Sequence, residues 1–111
     1  MRQDKERLLD ILEAINVLEK NINGNKPFHQ FDELMYLGIV RCLEIIGEAV
    51  RFLSDDIKSK HPAIPWKEIA NMRNVLIHQY FNVDTEKVEK TIKEDIPKLK
   101  SGIEKILSHL D

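Results

Sequence analysis

Cysteine is nearly absent from this chain: Cys42 stands alone among 111 residues. No internal disulfide can form, and its place in an apolar run predicts a small buried side chain in a reducing compartment. Glycine and proline are scarce, four of each, which excludes collagen-like and low-complexity chains. No apolar run approaches the roughly 18 residues of a membrane span. The charged start Met1-Arg2-Gln3-Asp4-Lys5-Glu6-Arg7 lacks the hydrophobic stretch of a signal peptide. A cytosolic protein without a membrane segment is expected.

Metal-ligand spacing is missing too. His29, His61, His78 and His109 are dispersed, with no His-x3-His, no cysteine pair and no Glu-x-x-His. No Ser or Cys stands beside a base for covalent catalysis, and there is no glycine-rich phosphate loop. Neither a metal nor a cofactor is expected. The net charge is −2, so no global basicity advertises nucleic-acid binding, and any RNA contact must rest on a local patch.

What is present is helical periodicity without strand signals. Hydrophobic residues make up 42% and charged residues 32% of the chain, which fits one all-α domain over residues 1–111. The expected architecture is an up-down bundle of four to five helices. Asp4 is placed to N-cap a first helix carrying Leu8, Ile11, Leu12, Ile15, Leu18 and Ile22 inward, with Lys5, Glu6, Asp10, Glu13 and Lys20 outward. Asn23-Gly24-Asn25-Lys26-Pro27 reads as a turn.

A long central second helix is predicted from about Phe28 to about Lys58. It is apolar over much of its circumference, so it lies either at the centre of the bundle or against another chain. Arg41, Glu44, Glu48 and Arg51 form a narrow polar stripe along it. That stripe is either a solvated ion-pair seam or a row of carboxylates facing the helix that follows, with Gly47 permitting close approach. His61-Pro62-Ala63-Ile64-Pro65 breaks the helix, and Pro65 suits the first position of the next. Trp66 reads as a packing anchor. Asp84 is an N-cap candidate ahead of the last segment, whose apolar residues run from Val88 to Leu110. Pro97 predicts a kink or short break near Asp95.

The chemistry concentrates in Met72-Arg73-Asn74-Val75-Leu76-Ile77-His78-Gln79-Tyr80-Phe81. On a helix Arg73 and Tyr80 lie about 20° apart, and Asn74 sits one turn from His78, where its amide could fix the imidazole tautomer. Arg73 and His78 diverge by about 140°. They serve one ligand only if the helix ends near His78 or a second copy of the chain completes the site. Arginine offers a fork to phosphate oxygens and histidine transfers protons near neutrality, so the residue types suit acid–base chemistry on a phosphate.

Three elements in order carry a resemblance: Ile45-Ile46-Gly47-Glu48-Ala49-Val50, then the Pro65-Trp66 turn, then Arg73 to His78 and Tyr80 as Arg-x4-His-x-Tyr. Together they resemble the HepT-like branch of the HEPN ribonuclease superfamily, over nearly the whole chain. The resemblance implies a HEPN-like bundle and a metal-independent endoribonuclease toxin of a toxin–antitoxin pair. Its homodimer cleft would pool Arg73 and His78 from two protomers, with Asn74 as the polar residue that follows the arginine. It implies RNA as substrate and, as antitoxin, an MntA-like nucleotidyltransferase that adds AMP to Tyr80. Gln79 stands where relatives often carry glycine, a departure that bears on cleft width. The competing expectation is a non-catalytic dimeric bundle that binds a nucleotidyltransferase or a nucleotide. A purely structural bundle would pair its polar motif groups within one chain.

Overall fold

The computed structural model describes residues 2–22, 30–77 and 85–110, with the backbone alone at residues 2, 73–77 and 85. Helix α1 spans Arg2–Ile22, α2 Glu33–Arg51, α3 Asp55–Lys60 and α4 Trp66–Ile77. Helix α5, Thr85–Lys90, runs through a π-helical stretch, Thr91–Asp95, into α6, Ile96–Ser108. Among the described residues there is no strand, and the architecture is the all-α bundle expected. No helix among them is long and apolar enough to cross a membrane.

Periodicity places the core correctly. Leu8, Ile11 and Ile15 of α1, Leu43 and Ile46 of α2, and Leu99 and Ile103 of α6 have no exposed surface and belong to one hydrophobic cluster. Lys5, Glu6, Asp10, Glu13 and Lys20 point to solvent. Helix α2 packs against both α1 and α4, so its apolar excess is central to the bundle. The side chain of Lys100 on α6 meets Glu19 of α1 at 2.6 Å, a half-exposed pair of small energetic weight.

The long second helix is shorter than its hydrophobic pattern predicts. Asp32 caps its start by accepting from the Met35 amide at 2.8 Å, while Phe31 is buried ahead of the helix. At the other end the chain leaves the helix after Arg51, and α3 begins separately. The cause is a partner from far away in sequence. Asp4 is no N-cap: it lies inside α1, buried, and its carboxylate accepts from the Ser54 amide at 3.0 Å and the Ser54 hydroxyl at 2.7 Å. Ser54 is held extended and its Oγ accepts from the Ile57 amide, capping α3. Charge-assisted bonds to a buried carboxylate outweigh one more turn of helix.

Trp66 is the packing anchor expected, buried and donating from Nε1 to the His61 carbonyl at 3.0 Å. Pro65 precedes α4 instead of opening it, and its carbonyl accepts the Ile69 amide. The disturbance ahead of Pro97 is the π-helical stretch. Proline cannot donate to the carbonyl one turn back and its ring crowds it. The chain widens by one residue, so the Ile96 amide donates to the Thr91 carbonyl. Gly102 on α6 allows Ile64, from the turn before α4, to approach the helix where a Cβ would collide with it. The turn at Asn23–Pro27 and the Asp84 cap lie outside the described residues.

Candidate functional site

The described structure reaches the motif from its N-terminal side. Arg73 and Asn74 fall in the C-terminal half of α4, which ends at Ile77. Their side chains, and His78, Gln79 and Tyr80 entirely, lie outside what the structure describes. Helix α4 is seated by Ile69, 1% exposed, and it packs on α2. The backbone of Arg73 therefore belongs to a helix packed on the central α2.

On α2 the stripe residues separate by burial. Arg41 keeps 71% of its side chain exposed, whereas its partner Glu44 keeps 10%, and the two meet at 3.4 Å. The pair itself contributes little, because one end is in water. Glu44 is the unusual member. Its Oε1 is enclosed and has no hydrogen-bond partner among the described residues. An unpaired buried acceptor costs about 1–3 kcal/mol, so a solvated seam does not describe it. Glu48 is half-buried and lines the same groove between α1 and α2, a space of about 320 Å³ that Arg7 and Asp10 also border. The two α1 residues escaped the sequence reading because only the pairing of α1 with α2 brings them there.

A second cavity of about 320 Å³ lies between α4 and the rod formed by α5, the π stretch and α6. Asn71 and Met72, the residues just before Arg73, form one wall, and Leu43 of α2 reaches it. No sequence motif marks this space. Nearby, Tyr36 has its phenol pKa raised by burial and by the negative charge of Glu89. Cys42 is half-buried, not fully buried as the apolar run suggests. Burial raises its thiol pKa above that of a free cysteine, with the Arg41 charge opposing.

The family described as Ribonuclease HepT-like matches residues 11–106, a span that takes in α2, α4 and the whole motif. The chain belongs to the HepT-like ribonuclease family. The same relation appears in whole-chain similarity. A "Probable ribonuclease HepT" of Thermococcus cleftensis is 46% identical over 107 residues, covering 95% of this chain and 96% of that protein. A "Putative RNase MJ1380" of Methanocaldococcus jannaschii is 42% identical, covering 93% and 95%. A third relative, "Gamma-glutamylcyclotransferase and putative RNase MJ0434" of the same archaeon, is 41% identical over 114 residues, covering 100% of this chain and 51% of that protein. There the HepT-like unit shares a chain with another. No solved structure matches.

Proposed function

We propose that this HepT-like protein is an endoribonuclease whose active site is completed by a second copy of the chain. Family membership across residues 11–106 carries the reading, and the motif supplies its chemistry. One His78 removes the proton of a ribose 2′-hydroxyl, whose oxygen attacks the adjacent phosphorus. The bond to the 5′-oxygen breaks, and the His78 of the second copy protonates that leaving group. Arg73 from both copies neutralises the charge that builds on the phosphoryl oxygens. The products are a 2′,3′-cyclic phosphate and a 5′-hydroxyl, and the reaction uses no metal.

One histidine cannot act as base and acid in the same step, which is why a twofold dimer enters the proposal. Asn74 orients His78. Glu44 and Glu48, with Arg41, form the carboxylate-rich support on α2, and the enclosed Glu44 Oε1, which has no hydrogen-bond partner among the described residues, is an acceptor left for a donor. In the cell the protein acts as the toxin of a toxin–antitoxin pair. A small MntA-like nucleotidyltransferase silences it by adding AMP to Tyr80, since phosphate there competes for Arg73 and repels RNA.

The test is cleavage of a labelled RNA by the parent, Arg73→Ala and His78→Ala proteins. Each variant should lose at least about 100-fold in rate while keeping its helicity. A His78→Ala protein that cuts as fast as the parent sinks the mechanism.

A further inference from the structure

We propose that a second copy of the chain docks antiparallel on the outward face of α2, about a twofold axis at Ile45, so that Phe52 of each copy enters the groove beside Gly38 of the other. The inference rests on the ribonuclease reading for the need of a second copy and on α2 for where that copy sits. Counting about 100° per residue, Leu34, Gly38, Arg41, Ile45, Glu48 and Phe52 share an arc of about 80° on this helix. Leu34, Gly38, Arg41 and Phe52 are exposed there, and Ile45 and Glu48 are half-buried. Helices α1 and α4, both packed on α2, thus leave the arc in contact with water. The face carries a projection and a recess. Phe52, the C-cap of α2, stays 53% exposed although the guanidiniums of Arg7 and Arg51 stand beside its ring. The recess is the groove of about 520 Å³ at the other end of the helix, where a Cβ on Gly38 would meet nothing within 4 Å. Its rim is apolar and in water, with Leu34 79% and Val17 of α1 45% exposed.

Position along the helix sets the register. Gly38 and Phe52 stand about 21 Å apart along the axis of α2, and Ile45 lies midway between them in the sequence. A twofold axis at Ile45 therefore brings each Phe52 over the Gly38 of the second copy and sets Ile45 against its own counterpart, an isologous contact. The charges agree with this register. Arg41 of each copy falls within one residue of Glu48 of the other, which gives two ion pairs across the seam. Moving the axis to Ile46 would set Arg41 against Arg51 and Glu44 against Glu48, like against like. A parallel pair would stack Phe52 on Phe52 and Arg41 on Arg41, with both grooves left empty. The motif helix is placed to share the seam. Leu43 of α2 and Met72 of α4 border one cavity, so the backbone of Arg73 stands level with the middle of α2, near the axis. Two copies of α4 then flank the crossing, as a site shared between protomers requires.

The experiment reads assembly and register on the full chain. Sedimentation should show a dimer of the parent at micromolar concentration. Phe52→Ala removes an aromatic anchor and should raise the dimer dissociation constant by about 30-fold or more. Arg41→Glu should dissociate the dimer, and adding Glu48→Arg to it should restore assembly, because the pair is then reversed and not lost. With Cys42→Ser removing the single native thiol, Ile45→Cys should give a disulfide-linked dimer under mild oxidation by copper phenanthroline. Ser101→Cys, at an exposed position of α6, should not. Circular dichroism checks that each variant keeps its helices. A monomeric parent, or a dimer indifferent to all of these changes, overturns the docking face. RNA cleavage by the parent is scored separately. A dimer that answers to these changes yet cuts nothing loses the ribonuclease reading, and one that cuts RNA while indifferent to them loses only the face.

Discussion

The two ends of α2 solve the same problem differently. Each carries an apolar side chain in water: Phe52, 53% exposed, at the C-terminal end and Leu34, 79% exposed, near the start. Beside Phe52 the guanidinium of Arg7 stands 4.9 Å and that of Arg51 5.8 Å from the ring centre, and Asp4 ties Ser54 just beyond. Around Leu34 the surface is open. A groove of about 520 Å³ runs beside it, bordered by Val17, Gly38 and Cys42. Covering exposed apolar surface with cations and fixing the chain with a buried carboxylate makes one end stiff. The other end is left with spare room. The lesson is that a surplus of apolar residues on a helix does not say where along it the surplus is resolved.

Breaking the stiff end has the largest expected effect. Asp4→Ala leaves the Ser54 amide and hydroxyl without their acceptor and should cost about 2–3 kcal/mol in urea unfolding followed by circular dichroism. A loss below about 0.5 kcal/mol, typical of a surface change, would mean that the tie does not hold the α2–α3 bend. At the open end the sign reverses. A Cβ at Gly38 meets nothing within 4 Å, so Gly38→Ala should stabilise by about 0.5–1 kcal/mol through helix propensity alone. Destabilisation there would show that the groove is tighter than drawn.

The smallest effect is chemical. The Cys42 thiol is raised by burial, the Arg41 charge offsetting part of it, and only the thiolate attacks an alkylating reagent. Its rate with iodoacetamide should rise with pH on a curve displaced to higher pH than that of the urea-unfolded chain. Coincident curves would mean that water reaches the sulfur freely in the folded state.

Much of this was legible beforehand, because it depends on neighbours in sequence. The inward face of α1, the burial of Trp66 and the irregularity ahead of Pro97 follow from spacing and from what proline lacks. The end of α2 was not legible. Phe52 and Leu53 continue the apolar pattern, and the group that stops the helix is Asp4, which reads locally as a cap. The site divides in the same way. Arg73, Asn74, His78 and Tyr80 are visible as a motif, and Glu44 is visible as a charge, but its burial follows only from packing. The cavity beside Asn71 has no linear signature, since Leu43, Asn71 and Thr91 come from three separate elements.

The carboxylate of Asp4 works as a keystone set in the first turn of α1. Trimming or crowding that turn therefore reaches a bend encoded in the middle of the sequence. A preparation nicked before Leu8 would be expected to fray first between Arg51 and Asp55.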